Sequence, residues 1–219
     1  GPIILVATQP DLGTSILIAA GGIVVAWLAG VRAKFFVYSG VAMLALLPIA
    51  ISLLKPYQKS RILTFLNPER DPLGAGYQII QSKIAIGSGG LFGKGFLNGS
   101  QSYLDYLPEK HTDFIYTLFS EEFGFFGSLF ILLLYALIVY RIVRIGSLTR
   151  SNFGKLYCYG FATAFFIYVV VNMMMVLGLL PIVGSPLPIM SYGGSSMMAI
   201  MFGLGIVMSC KIHKDVPVN

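Results

Sequence analysis

The charged residues that could do chemistry are concentrated between residues 55 and 122, and Asp113 is the leading candidate among them. It follows His111 and Thr112 where a polar loop meets a long apolar segment. A carboxylate at that depth could be screened from bulk water and tuned by its neighbours to act as a general base. The alternative is a helix N-cap, because Asp is preferred at that position and favours the helix dipole.

Three further carboxylates, Asp11, Glu121 and Glu122, are candidates for supporting roles, and Glu109 is a candidate for substrate binding. Asp11 is expected on the same side of the membrane as Asp113, either as a cap or ion-pair partner or as a second carboxylate lining the same cavity. Glu109 lies just before Asp113 and could tune its pKa. Glu121 and Glu122 lie two turns into the following helix. For these two we expect a structural role, with one facing the bundle and paired with a cation.

Basic residues in the same stretch are candidates for holding a phosphate-bearing ligand. They could equally be solvated or contact anionic lipid headgroups, the commonest role of basic residues at an interface. The candidates are Arg61, Lys83, Lys94 and Lys110. Lys94 belongs to a glycine-rich run, residues 87–95, that lacks the first glycine and the final Ser/Thr of a Walker A motif. A nucleotide is therefore unsupported, and the glycines either form turns or present N–H groups to a pyrophosphate.

The sequence predicts no metal site and no disulfide. Its two histidines, His111 and His213, are far apart, so a zinc site is not credible. Cys158 and Cys210 lie in apolar segments and are expected as reduced, packed thiols. His111 remains a candidate for substrate contact because it stands beside Asp113.

The segments around these groups are apolar enough to cross a membrane several times. The sequence is 56% hydrophobic and 11% charged, whereas soluble domains carry about 25% charged residues. Because about 20 apolar residues span the hydrocarbon, we predict an all-α, polytopic transmembrane helical bundle, with residues 1–219 as a single integral membrane domain. The predicted spans are 12–31, 35–54, a helix opening at Thr112 or Asp113 and uncharged over 123–140, 156–178 and 192–211. A large loop, residues 55–112, should contain short amphipathic helices at 55–66 and 76–86.

Basic residues outside the large loop predict the orientation. They are Arg32, Lys34, Arg141, Arg144, Arg150, Lys155, Lys211 and Lys214. With five spans they all fall on one side, and Lys and Arg concentrate on the cytoplasmic face. We therefore predict a cytoplasmic C-terminus and an extracytoplasmic large loop. The net charge of +6 then reflects topology rather than binding to nucleic acid.

Five stretches, in order along the chain, resemble the SEDS family of bacterial shape, elongation, division and sporulation proteins. They are QPDLGTS (9–15), NPERDPLGAGYQIIQSKIAIGSGGLFGKG (67–95), LPEKHTDFIY (107–116), EEFGFFG (121–127) and LPIVGSPLPIMSYGGSS (180–196). The amino-acid sequence of residues 71–90 resembles the elongation branch of the family more than the division branch. Members of the family have ten transmembrane helices, so the resemblance implies that this chain is the C-terminal half, beginning at the end of the fifth helix.

The resemblance implies a peptidoglycan glycosyltransferase of the bacterial cytoplasmic (inner) membrane. Such an enzyme polymerises lipid II, a disaccharide-pentapeptide on undecaprenyl diphosphate, for cell elongation and rod shape. The essential aspartate of the family falls at Asp113, the expected base. The expected diphosphate ligands are Arg61, Lys83, Lys94 and Lys110. Lys110 stands where many relatives have Arg, which weakens its assignment because Lys offers only a point charge.

The resemblance also implies partners and leaves alternatives open. The partners would be a class B penicillin-binding protein and other membrane proteins of the elongation complex. A divalent cation, Mg²⁺ or Mn²⁺, could assist, although no ligand set is evident. A lipid transporter that flips the same precursor would also place polar residues in a helix bundle, and a non-catalytic scaffold for wall synthesis is a third function.

Overall fold

The structure, a computed structural model, describes residue 6 and residues 12–53, 56–68, 71, 74–99 and 111–214. Asp11, Glu109 and Lys110, three of the candidates above, lie outside these ranges. Within them the chain forms helices and connecting turns, which confirms the predicted all-α class. Numbered in chain order, the helices are α1 (Leu12–Leu28), α2 (Ala33–Leu53), α3 (Pro56–Leu66), α4 (Ala75–Ser88), α5 (Ile115–Leu148), α6 (Asn152–Val176) and α7 (Gly194–Ile212).

Three of these helices, α5, α6 and α7, are long and apolar enough to cross a membrane. Two shorter apolar stretches, Gly13–Leu28 and Ala33–Leu46, correspond to the first two predicted spans. The prediction of a membrane protein is therefore confirmed, while the count of five spans and the orientation stay predictions. At about 1.5 Å per residue, the part of α5 from residue 125 to residue 148 extends about 36 Å, somewhat more than the roughly 30 Å of hydrocarbon in a bilayer.

Helix α6 lies at the centre of the described fold and packs against α1, α4, α5 and α7. A glycine permits the close approach of α1, since a Cβ at Gly160 would lie 2.6 Å from Cγ2 of Val25. The main core cluster joins α5, α6 and the loop that follows α6. Its buried members are Phe114, Tyr116, Tyr135, Phe165, Val169, Met173, Met175, Val176 and Leu187.

The two short helices of the large loop form where the sequence predicts them. Helix α4 packs against α5 and α6, with Ile79, Ser82 and Ala85 buried on the contact face. Helix α4 is therefore folded back over the bundle.

The start of α5 differs from the prediction, and the helix is not continuous. The helix begins at Ile115, after a turn at 111–114, rather than at Thr112 or Asp113. It is also interrupted at Gly124, where φ is 65° and ψ is −161°. Only glycine adopts that conformation readily, so the helix is broken at this residue.

The glycine-rich run explains the interruption through an exchange of backbone hydrogen bonds. In a continuous helix, the Phe125 N–H would donate to the Glu121 carbonyl. Instead it donates to the Gly90 carbonyl at 2.9 Å, and the Glu121 carbonyl accepts from the Lys94 N–H at 3.1 Å. One residue further on, Phe126 N–H donates to Leu91 and Gly95 N–H donates to Glu122. The loop therefore satisfies the polar groups that the break leaves free.

Candidate active site

Asp113 lies half-buried in the turn that leads into α5. The N-cap position of α5 is occupied by Phe114, which provides no capping side chain. Asp113 therefore lies one residue outside the N-cap position that one interpretation of the sequence gave it. Phe114 is 1% exposed and anchors the turn in the core. Oδ2 of Asp113 lies 3.6 Å from the position of a Cβ at Gly184, so the carboxylate faces the loop between α6 and α7.

Asn172 of α6 holds the backbone of this turn. Its Nδ2 donates to the Asp113 carbonyl at 2.8 Å and to the Ser185 carbonyl at 2.7 Å. The Asn172 side chain is fully buried; its bond to Ser185 is buried and its bond to Asp113 is partly buried. Sequence reasoning missed Asn172; its signal was a lone amide next to three methionines in an uncharged helix.

The loop between α6 and α7 makes two more bonds to the same turn. Ser191 Oγ donates to the Thr112 carbonyl at 2.5 Å, and the Tyr192 N–H donates to the His111 carbonyl at 2.9 Å. Ser191 is itself fixed, because its Oγ accepts from the Leu187 N–H at 2.7 Å. Three consecutive carbonyls before α5 are thus bonded to α6 or to the loop after it. A backbone held this closely fixes the position from which the Asp113 side chain extends.

Two of the predicted cations reach that loop. Nη1 of Arg61, from α3, donates to the Ile182 carbonyl at 3.4 Å. Nζ of Lys83, from α4, lies 2.8 Å from the position of a Cβ at Gly178, which is glycine in the left-handed region at φ +67°. The carboxylate of Asp113 and both cations therefore border one short segment, residues 178–184.

Buried hydroxyl contacts fix the position of Lys83. The neighbouring Ser82 is 0% exposed. Its Oγ donates to the Val176 carbonyl at 2.7 Å and is hydrogen-bonded to Thr117 Oγ1 at 2.7 Å. Ser82 thus joins α4 to the end of α6 and the start of α5, and it orients the next residue toward the loop. These hydroxyl contacts were not anticipated from the sequence.

Lys94 and Glu121 form an ion pair away from this segment. Nζ of Lys94 lies 2.6 Å from Oε1 of Glu121, with 29% of the lysine side chain exposed and none of the glutamate. The ion pair connects the glycine-rich run to α5 beside the break at Gly124. One of the two glutamates was expected to pair with a cation, and Glu121 does so. The side chain of Glu122 is half-buried. The assignment of Lys94 to a diphosphate remains a prediction. In the structure its ammonium is paired with the Glu121 carboxylate.

The described residues give no support to a divalent cation. Among them, no group of three or more His, Cys, Asp or Glu could hold a metal ion. His111 is exposed at the edge of the site and borders a cavity of about 730 Å³. That cavity continues along Met190, Tyr192 and Met197, so a polar rim meets an apolar wall.

Comparisons with known proteins agree along nearly the whole chain. The model of a family described as "Cell cycle protein", which covers FtsW, RodA and SpoVE, matches residues 2–216. The peptidoglycan glycosyltransferase MrdB of Escherichia coli strain K12 is 50% identical over 214 residues, which are 97% of this chain and 58% of that protein.

Solved structures match the fold as well. A chain of a peptidoglycan synthase complex, studied for the coordination of polymerization and crosslinking, aligns with a TM-score of 0.76 at 37% identity, covering 97% of this chain and 58% of that one. A mutant of the rod shape determining protein RodA of Thermus thermophilus aligns with a TM-score of 0.63 at 26% identity, covering 98% of this chain and 54% of that one. The chain therefore spans little more than half the length of these relatives.

Proposed function

Because the chain belongs to the FtsW, RodA and SpoVE family of cell cycle proteins, we propose that the complete protein is a peptidoglycan glycosyltransferase that polymerises lipid II for cell elongation. The name of the 50% identical E. coli relative supports this activity. Since the chain spans 58% of that relative, we assign the activity to the complete protein.

The observation that carries the proposal is the grouping of one carboxylate and two cations around residues 178–184. Asn172 donates a hydrogen bond to the backbone carbonyl of Asp113 and so holds that residue in place. Arg61 and Lys83 contact the loop that the Asp113 carboxylate faces. Transfer of a sugar from a lipid diphosphate needs one base for the acceptor and positive charge for the leaving group. A hydrolytic glycosidase would instead need two carboxylates at a set separation.

In the proposed reaction, Asp113 takes the proton from a hydroxyl of the acceptor sugar. The hydroxyl oxygen then forms a bond to the anomeric carbon of the donor, while the bond from that carbon to the diphosphate oxygen breaks. Undecaprenyl diphosphate leaves with the bonding electron pair. Because a diphosphate is already a good leaving group, no general acid is required.

Arg61 and Lys83 are proposed to neutralise the negative charge that grows on the departing diphosphate. Arg61 offers a planar guanidinium for bidentate phosphate contact, and Lys83 offers a point charge. Asp113 and the cations stand on the side of the chain predicted to be extracytoplasmic, where glycan strands are needed. Lys110 and Glu109, which directly precede the turn at 111–114, remain proposed contributors.

The proposed setting is the bacterial inner membrane, with a class B penicillin-binding protein as partner. The solved complex that combines polymerization with crosslinking supports a crosslinking partner. Other membrane proteins of the elongation complex are proposed neighbours.

The test is a reconstitution of the complete protein in liposomes with fluorescent lipid II. We expect glycan polymer that lysozyme-type digestion degrades. Leaflet exchange of the label without polymer would establish a transporter instead. Neither polymer nor exchange, from protein that is correctly inserted and bound to its partner, would establish a scaffold.

A further inference from the structure

A basic cavity of about 540 Å³ lies between the ends of α5 and α7. It lies at the end of α5 opposite Asp113, about 24 Å along the helix beyond the break at Gly124. Four of its lining residues are basic: Arg141, Arg144, Lys211 and Lys214. Nothing in the proposed reaction uses this cavity.

These four cations are exposed, so one ligand can reach all of them. Arg141 and Arg144 are three residues apart on one helix, so they share a face, and across the cavity they meet Lys211 and Lys214. In the described part of the chain, no side-chain hydrogen bond or ion pair joins any of the four to another group. The helix dipole favours Lys211 in the last turn of α7. It does little for the arginines, which lie at least a turn before the end of α5 at Leu148.

The cavity is a formed site rather than a loose surface. Ile142 follows Arg141, and Val207 lies one turn before Lys211. Each is 2% exposed, and both belong to one core cluster with Cys158 and Ala162. In addition, the backbone N–H of Arg150 donates to the Lys214 carbonyl at 3.0 Å. The two helix ends that carry the cations are therefore held in place.

The depth and the other walls indicate the ligand. The uncharged helical run from 125 to 140 extends about 24 Å, close to the thickness of the hydrocarbon. This places Arg141 at the level of the lipid phosphates. Ile145, Leu148 and Met208 complete the lining, and Leu148 and Met208 are 61% and 49% exposed. A free phosphate would leave these apolar side chains uncovered, whereas a phospholipid covers them with its glycerol and first methylenes.

We propose that this cavity binds an anionic phospholipid of the surrounding bilayer, with its phosphate between Arg141, Arg144, Lys211 and Lys214. Basic pockets between transmembrane helices are suited to such headgroups. This inference does not depend on the proposed enzymatic function.

The test measures lipid retention by native mass spectrometry of the complete protein, loaded with phosphatidylglycerol or phosphatidylcholine. We expect the unchanged chain to retain phosphatidylglycerol preferentially. The variant R141Q/R144Q/K211Q/K214Q should lose at least about 10-fold of that retention. The control R32Q/K34Q/R150Q/K155Q removes as many charges at the same predicted membrane face, outside the cavity, and should stay within about 2-fold. Asp215 lies outside the described residues and is left unchanged.

Three results would overturn the proposal. The first is an unchanged chain that retains both lipids equally, a measurement that needs no variant and so does not depend on variant folding. The second is an equal loss of phosphatidylglycerol in the control variant, which would indicate general surface charge. The third is displacement of the lipid by millimolar glycerol 3-phosphate, which would show that a soluble phosphate suffices.

Discussion

The ion pair between Lys94 and Glu121 makes an asymmetric prediction about stability. Glu121 is 0% exposed, whereas 29% of the Lys94 side chain is exposed. Replacing Lys94 by Met leaves a carboxylate that cannot reach water. Replacing Glu121 by Gln leaves an ammonium that can turn toward solvent. K94M should therefore be more destabilising than E121Q.

The expected magnitudes follow from the burial of each partner. Removing the cationic partner of a buried charge costs about 3–5 kcal/mol. We expect the lower end for K94M, because Ser88 Oγ still donates to Glu121 Oε1 at 3.5 Å. E121Q should cost about 1 kcal/mol, since the amide keeps the shape and an oxygen acceptor. For a chain of this size, 1 kcal/mol corresponds to about 2–4 °C in Tm. K94M should then lower Tm by about 6–12 °C and E121Q by about 2–4 °C.

The assay is thermal unfolding of the purified chain in detergent, followed by circular dichroism. The double variant K94M/E121Q removes both charges and should be more stable than K94M alone. K59M, which changes an exposed lysine of α3, is the matched control and should leave Tm unchanged. Equal losses for the two single variants, or a double variant whose loss equals their sum, would refute the reasoning.

Other predictions concern the contacts that shape the site. G124A should lower stability by about 3 kcal/mol or more, because only glycine tolerates this backbone conformation and a Cβ would clash with the Gly93 nitrogen; a Tm near that of the unchanged chain would contradict this. N172L should cost about 2–3 kcal/mol, since two buried carbonyls lose their donor, and it should lower polymerisation further by releasing the Asp113 backbone. S82A should lower the free energy of unfolding by about 1–2 kcal/mol, because it removes the bonds of Ser82 Oγ to Val176 and Thr117. An unchanged Tm in the same thermal unfolding would contradict this.

The helices were predictable because each is a local pattern. Uncharged runs of sufficient length indicated α1, α2, α6 and α7, and the apolar face of α4 indicated a short helix. The break in α5 was not predictable in this way. It depends on backbone hydrogen bonds between the residues on either side of Gly124 and residues 90–95, about thirty positions earlier. Hydrophobic periodicity contains no information about such a pairing.

The site was predictable in part, for the same reason. Asp113 stood out by its position at the start of an apolar segment and by the resemblance to a family. Asn172 did not, because its partners are the carbonyls of residues 113 and 185, which only tertiary packing brings to one side chain. Lys94 and Glu121 were each noticed, but their pairing spans 27 positions and follows from the break at Gly124.

The central claim, that Asp113 is the base for glycan polymerisation, is tested most directly with D113N in the complete protein. This substitution keeps the size of the side chain and the backbone carbonyl that Asn172 holds, and removes only the ability to accept a proton. E122Q, a half-buried carboxylate of α5, is the control. With reconstituted lipid II, we predict that D113N loses at least about 100-fold in polymerisation rate while E122Q retains its rate and both variants insert normally. Polymerisation by D113N at the rate of the unchanged protein would contradict the account.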